Sequence, residues 1–185
     1  MIIGGRSRVK IDMFEIINNL AGQNYLLDAL GIFSAVWLIW ILAIYYIWCV
    51  HQQNIFSHYW HISVSVLIIG LIYAVSFITG YLWFEARPFV REGANLLISV
   101  PYTVKSFPSD HAAIAFAIAA ACWHLKTRWW RWSFVAAALV ALGRVFVGVH
   151  YFQDVIVGAI LGGGLAWLVY KLFDRYFGKL RRAII

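Results

Sequence analysis

The sequence predicts an all-α integral membrane bundle of about five transmembrane helices plus an N-terminal interfacial helix, six helices in all. Two observations predict it. Of the 185 residues, 63% are hydrophobic and only 12% are charged, and the mean hydropathy is +0.78, far from the balance of a soluble domain. The apolar residues also gather into runs long enough to cross a hydrocarbon core as helices, which takes roughly 20 residues. No internal repeat, low-complexity stretch or Pro/Gly/Ser-rich linker divides the chain, so residues 1–185 read as one membrane-embedded domain.

Met1 to Lys10 leads into a mixed polar stretch and not a short apolar core, so no cleavable signal peptide is expected. Between Asp12 and Ala21, apolar Met13, Ile16, Ile17 and Leu20 recur at helical spacing, as in a helix lying on the membrane surface. Spans are then expected at about 26–49, 62–84, 109–125, 132–147 and 151–173. The longest break, Glu85 to Phe107, separates the second span from the third and carries Pro88 and Pro101. In the last span Gly158 and Gly162 to Gly164 include a small-xxx-small spacing, which lets helices approach closely, and no loop accompanies them that could cradle a phosphate. Cys49 and Cys122 end apolar runs and read as packing thiols, not a disulfide framework.

The formal charge of +7 does not point to nucleic acid, because the charges flank the spans. Lys126, Arg128 and Arg131 fill one short loop, and Lys171, Arg175, Lys179, Arg181 and Arg182 follow the last span. Both places read as cytoplasmic by the positive-inside rule, and they agree because two spans separate them. Arg6, Arg8 and Lys10 pull the other way, since five spans put the N-terminus outside. Trp123, Trp129, Trp130 and Trp132 bracket the basic loop, as an interfacial aromatic belt does.

Polar and ionisable residues at membrane depth are costly and therefore raise a functional hypothesis. They fall in "FEARPFV" at 84–90, "FPSDH" at 107–111 and "GRVFVGVHYFQD" at 143–154, all at one membrane face. Ser109 stands where an alanine-rich helix begins, and a helix N-terminus attracts phosphate. His111 sits in its first turn, placed to donate a proton. The plain alternative is that Ser109 and Asp110 only cap the helix while His111 faces headgroups. His150 and Asp154 are four apart, so on a helix the carboxylate can hold Nδ1–H and leave Nε2 as a free lone pair. Gly148 allows a turn that brings Arg144 to the space Arg87 faces, and two guanidiniums beside a helix start suit a phosphoryl group. For either arginine alone, snorkelling is the plain alternative.

These elements resemble the type 2 phosphatidic acid phosphatase superfamily, whose members show an RP element, a PSGH-like element and an R-x5-H-x3-D element in this order. Here they stand as Arg87-Pro88, Pro108-Ser109-Asp110-His111, and Arg144 with His150 and Asp154. Within that superfamily "FEARPFV" and "SFPSDH" are most similar to the bacitracin-resistance type of undecaprenyl pyrophosphate phosphatase. The resemblance implies a metal-independent, cofactor-free phosphatase working in two steps. His150 would become a phosphohistidine, Asp154 would orient and stabilise it, and His111 would protonate the leaving oxygen and then activate water. Arg87, Ser109 and Arg144 would hold the phosphoryl oxygens, and opposite protonation states for the two histidines would give a bell-shaped pH profile.

The substrate so implied is a lipid phosphate, undecaprenyl pyrophosphate. It would be hydrolysed at the periplasmic or outer face of a bacterial inner (cytoplasmic) membrane, returning the carrier monophosphate for cell-wall building. Phosphatidic acid or phosphatidylglycerol phosphate is the alternative within the superfamily. There are departures. Gly80 stands where many members have lysine, Asp110 replaces the glycine of PSGH, and Gly143 replaces a serine. Arg91 and Lys105 are the candidates to supply the missing cation, while Glu85 and Asp110 are assigned supporting places around Arg87 and the helix start.

A different class, a proton or anion transporter, would use Arg87, Arg144, His150 and Asp154 as a path, but the charges cluster at one edge. His51, His58, His61 and His124 offer a weak metal pattern on the opposite face, with no cysteine or carboxylate to join them, so no metal site is expected. Oligomeric state has no signature in the sequence.

Overall fold

The structure, a computed structural model, describes residues 13–91, 93–101 and 105–184. The expectations placed on Met1 to Asp12 lie outside the described residues. Among those described there is no strand. The helices run in the order α1 Met13–Asn18, α2 Tyr25–Ile32, a π-helical turn Phe33–Trp37, α3 Leu38–His51, α4 Ile55–Leu82, α5 Pro88–Arg91, α6 Asp110–His124, α7 Trp130–Phe146 and α8 Phe152–Ile184. The sections from Tyr25 to His51 form one continuous helix of 27 residues; this helix, α4 and α8 each hold a stretch long and apolar enough to cross a membrane.

Helix ends explain where the expected spans moved. Asn54 Oδ1 accepts the Ser57 amide at 2.9 Å and starts α4 well before residue 62. Asn24 does the same for α2 with the amides of Leu26 and Leu27. At the far end, α8 continues beyond residue 173 through Asp174 and Arg175, where hydropathy fades but nothing breaks the helix. Two features had no expectation: the π-turn and the short α5.

Helix α6 is the centre of the bundle, packed most extensively on α8 and α7 and also touching α3 and α4. Its buried face is almost wholly alanine: Ala112, Ala113, Ala115, Ala117, Ala119, Ala120 and Ala121, with Cys122. Lipid tails are as apolar as leucine, so burial of bulk does not drive such helices together; small residues that admit close backbones do. Gly158 and Gly162 of α8 complete the contact, because a Cβ at either would run into the backbone of α6 at Ser109 and Ala113. Gly164 meets nothing, so packing accounts for only part of that glycine run. Cys49 and Cys122 are free and buried.

Large apolar side chains such as Trp40, Ile44, Val66, Phe77 and Ile160 point outward, the inverse of a soluble protein and suited to lipid contact. Helix α1 buries Phe14 and Asn18, followed by Ala21, and exposes Met13, Ile16 and Leu20. Most of the apolar residues that predicted this helix are therefore its outward face. At the end of the bundle formed by the α6–α7 loop, Arg128 lies over Trp129, Arg131 over Trp130 and Lys171 over Trp167. Cations on the faces of interfacial aromatics anchor that end.

Helices α6 and α7 have 15 and 17 residues, about 22 and 25 Å at 1.5 Å per residue. Both fall short of a ~30 Å hydrocarbon core. One end of each lies at the basic loop with its cation–aromatic pairs, and the other ends lie across the bundle. The polar clusters lie at those ends.

Candidate active site

Helix α6 starts, α7 ends and α8 starts at one end of the bundle, and the loop after α4 comes to the same place. A cavity of about 460 Å³ opens there, lined by Arg87, Lys105, Asp110, His111 and His150, and by apolar residues of α3, α4 and α6 such as Ile39, Ile69 and Ile114. The three sequence clusters do meet at one face.

His150 is 3% exposed, and its Nδ1 lies 3.5 Å from Asp154 Oδ2. The pair is not displayed along a helix face, as the four-residue spacing suggested. His150 precedes α8, and Asp154, in its first turn, folds back. Asp154 Oδ2 accepts the Tyr151 amide at 2.8 Å and the Ser106 hydroxyl at 2.6 Å. Those two donors hold a fully buried carboxylate in place while it faces the imidazole. Burial pushes the His150 imidazole down to about 4; the guanidiniums of Arg144 and Arg87 act in the same direction, and Asp154 opposes them. A neutral ring with Nδ1 facing a carboxylate carries its lone pair on Nε2.

Gly148 makes this turn possible. Its φ is +80°, and a Cβ would also run into the Asn95 carbonyl and the Asn18 side chain. Asn18 Nδ2 donates to Phe146 O at 2.9 Å and to Asn95 O at 3.0 Å, while Asn18 Oδ1 accepts the Asn95 amide at 2.8 Å. Helix α1 thereby ties the loop between α5 and α6 to the end of α7. Sequence reasoning missed both asparagines; the only signal was a polar residue at 18 within an otherwise apolar helical face.

Ser109 occupies the N-cap position of α6, but its side chain makes no capping bond, and its buried Oγ has no partner. The plain capping role is thus not the one it plays. Arg87 is 7% exposed, with Nε and Nη1 unpartnered. Burial pushes the pKa of its guanidinium down while Asp110 and Asp154 offset that, and the group stays cationic. Arg144 is 4% exposed; one nitrogen, Nη1, donates to Ala35 O at 3.3 Å, and Nε has no partner. Ala35 lies in the π-turn, a local widening that recurs at functional sites. Gly143 explains itself here, since a Cβ would strike the backbone of Ser34 and Ala35. Its missing side chain lets α7 come close enough for Arg144 to reach that carbonyl.

The remaining predicted residues support the frame. Glu85 Oε1 accepts from Gln153 Nε2 at 3.4 Å, and its carbonyl accepts the Ser106 amide at 2.8 Å. Asp110 accepts from Ser76 Oγ and lies 3.4 Å from Lys105 Nζ. Lys105 packs over Gly80, where a Cβ would collide with its stem. Of the two candidates for the missing cation, Lys105 therefore reaches the cavity, and the side chain of Arg91 lies outside the described residues. Ser106 and Ser76 went unnoticed in the sequence, although Ser106 opens the "SFPSDH" stretch.

The four histidines set aside as a metal site lie at the other end. His124 stacks on Tyr170 and faces His61, and Asp174 comes to 3.8 Å from His124 Nδ1. That carboxylate corrects the expectation that none joins them. Among the described residues, no three His, Cys, Asp or Glu side chains form a group able to hold a metal ion.

The chain is also similar to known proteins over most of its length. The family model described as the PAP2 superfamily matches residues 58–177. The undecaprenyl-diphosphatase BcrC of Bacillus subtilis (strain 168) is 28% identical over 167 residues, covering 88% of this chain and 83% of its own. A Bacillus licheniformis protein named bacitracin transport permease protein BcrC is 33% identical over 163 residues, 84% of this chain and 76% of its own. The crystal structure of Aquifex aeolicus LpxE superposes with a TM-score of 0.65 at 26% identity, covering 85% of this chain and 92% of that one.

Proposed function

The chain belongs to the PAP2 superfamily and is a membrane lipid phosphatase, and on that premise we propose that it hydrolyses undecaprenyl pyrophosphate to undecaprenyl phosphate through a phosphohistidine on His150. The observation that carries the reading is the set of buried, unpartnered donors around that histidine: Arg87 Nε and Nη1, Ser109 Oγ and Arg144 Nε. A buried donor without an acceptor costs about 1–3 kcal/mol. A phosphoryl group supplies acceptor oxygens and the opposite charge at once.

The chemistry runs in two steps. His150 Nε2 attacks the terminal phosphorus, the bond to the bridging oxygen breaks, and its electron pair leaves with the lipid monophosphate, whose oxygen takes a proton from His111. Water then attacks the phosphohistidine, giving its proton to His111 and releasing inorganic phosphate. Asp154, held by Ser106 and the Tyr151 amide, balances the charge that His150 gains. Arg87, Arg144, Ser109 and the start of α6 hold the phosphoryl oxygens as charge spreads over them. No residue in this scheme needs a metal ion.

Orientation follows from charge. Lys126, Arg128 and Arg131 lie at the end opposite the site, which favours a site at the outer face of a bacterial inner membrane. Phosphatidic acid or phosphatidylglycerol phosphate remains the rival substrate. Transport finds less support, because the core helices carry no charged residue between His111 and His124, Arg131 and Arg144, or Asp154 and Lys171.

The test is phosphate release from undecaprenyl pyrophosphate in detergent with EDTA present, wild type against His150→Ala. Release by the wild type alone supports the reading. Equal release by both removes His150 as nucleophile, and release only from glycerol lipids moves the substrate.

A further inference from the structure

Lys105 plays no part in the scheme above, yet it is one of the cations on the wall of the catalytic cavity. Its stem lies over Gly80 of α4, in space that any other residue there would occupy. Its Nζ donates to Ser76 Oγ at 2.7 Å and to Pro108 O at 3.2 Å, and it stands 3.4 Å from Asp110 Oδ1. Three partners from α4, the loop before α6 and α6 itself thus hold one ammonium group, with its side chain 17% exposed. That is a seat built for a charge at a fixed place, unlike a lysine extending from a loop into water.

We propose that Lys105 binds the second phosphate of a diphosphate substrate, the one that departs with the lipid, and so biases this site toward diphosphates over monophosphates. The inference rests on the phosphatase reading given above. In-line displacement places the leaving oxygen opposite the attacking atom. His150 comes from the turn before α8, and the terminal phosphoryl group already has Arg87, Arg144 and Ser109. The part of the cavity wall supplied by α3 and α4 is apolar at Ile39, Trp40, Ala43 and Ile69, which suits a lipid chain leaving that way. Ser76, which Lys105 Nζ meets, belongs to α4, the helix that carries part of that apolar wall. When the phosphorus–oxygen bond breaks, the electron pair passes to the bridging oxygen of the departing phosphate monoester, next to His111, its proton donor. A fixed ammonium there offsets the growing charge. With a monophosphate ester the departing group is an alcohol, and Lys105 has no phosphate to meet.

The experiment uses the purified full chain and two substrates with one tail, a prenyl diphosphate and the matching prenyl monophosphate, so that tail binding cancels. For Lys105→Met the ratio of kcat/KM values, diphosphate over monophosphate, is expected to fall at least tenfold. Lys105→Gln, which keeps a donor for Ser76 and Asp110 without the charge, serves where the Met variant does not fold and is expected to behave alike. The double variant Gly80→Lys with Lys105→Ala removes the stem that a Cβ at 80 would strike and returns an ammonium from α4. It should recover part of the ratio. A wild type that prefers the diphosphate, with a ratio unchanged in both charge-removing variants, would overturn the inference alone. A wild type that turns over only the monophosphate would overturn the diphosphatase reading and this inference with it.

Discussion

Removing one hydroxyl from the far side of Asp154 tests whether the carboxylate works by being held. Ser106 Oγ donates to Asp154 Oδ2 at 2.6 Å, and both residues are 0% exposed. A hydrogen bond to a charged group contributes about 1.5–3 kcal/mol. If Ser106→Ala loses that amount in the transition state, kcat falls roughly 10- to 150-fold at 1.36 kcal/mol per decade. KM should move little, because Ser106 meets Asp154 and not the cavity wall. Asp154 keeps the Tyr151 amide at 2.8 Å, so the loss stays short of that of Asp154→Ala.

Steady-state phosphate release from a short-chain prenyl diphosphate in detergent gives kcat and KM, and a melting curve shows whether the variant folds. Coupling separates positioning from bulk stability. In an Asp154→Asn background, Ser106→Ala should cost less than threefold, since the charge it anchors is gone. Two results would refute the reasoning: a kcat within threefold of wild type at unchanged stability, or fully additive losses in the double variant.

The pH dependence of kcat/KM reports the free enzyme; with His150 pushed down to about 4 by burial, the imidazole stays neutral above that value, so the acid limb should lie near pH 4, and a limb near 6.5 would mean that burial does not control it. Gly162→Ala should cost about 1–3 kcal/mol by forcing α8 off the α6 backbone, read as a drop in melting temperature, whereas Gly164→Ala, with nothing within 4 Å of a Cβ, should melt as wild type does. Asn18→Ala removes the buried side-chain bonds to Asn95 and Phe146; at about 1 kcal/mol each, the loss should appear as earlier melting and a lower kcat, because the His150 turn loses its brace. An unchanged kcat in a destabilised Asn18→Ala would limit α1 to a structural part.

Hydropathy marked the spans because lipid demands apolar length, and motif spacing marked the site because buried charge is costly enough to be conspicuous. What escaped was backbone. The Ala35 carbonyl that Arg144 meets has no side-chain signature, and the π-turn that presents it looks like any other apolar stretch. Gly143 read as a departure from a resembled pattern, although it is what admits the contact. Ser106 and Ser76 carry hydroxyls too common in membrane helices and loops to stand out. Lys105 shows the limit in another form: its link to Gly80 runs between α4 and the loop before α6, and no local spacing encodes it.

The same contact that packs the bundle also sets the chemistry. Gly158 lies against the Ser109 carbonyl, and one turn earlier the Ser109 amide donates to the Asp154 carbonyl at 3.1 Å. The distance between the phosphate-binding start of α6 and the His150–Asp154 pair is therefore fixed by how closely two helices approach. A side chain at 158 would strike the Ser109 carbonyl and push the two apart. In a bundle whose central helix is mostly alanine, small residues give up volume and gain backbone proximity, and here that proximity is what places a nucleophile beside an anion site.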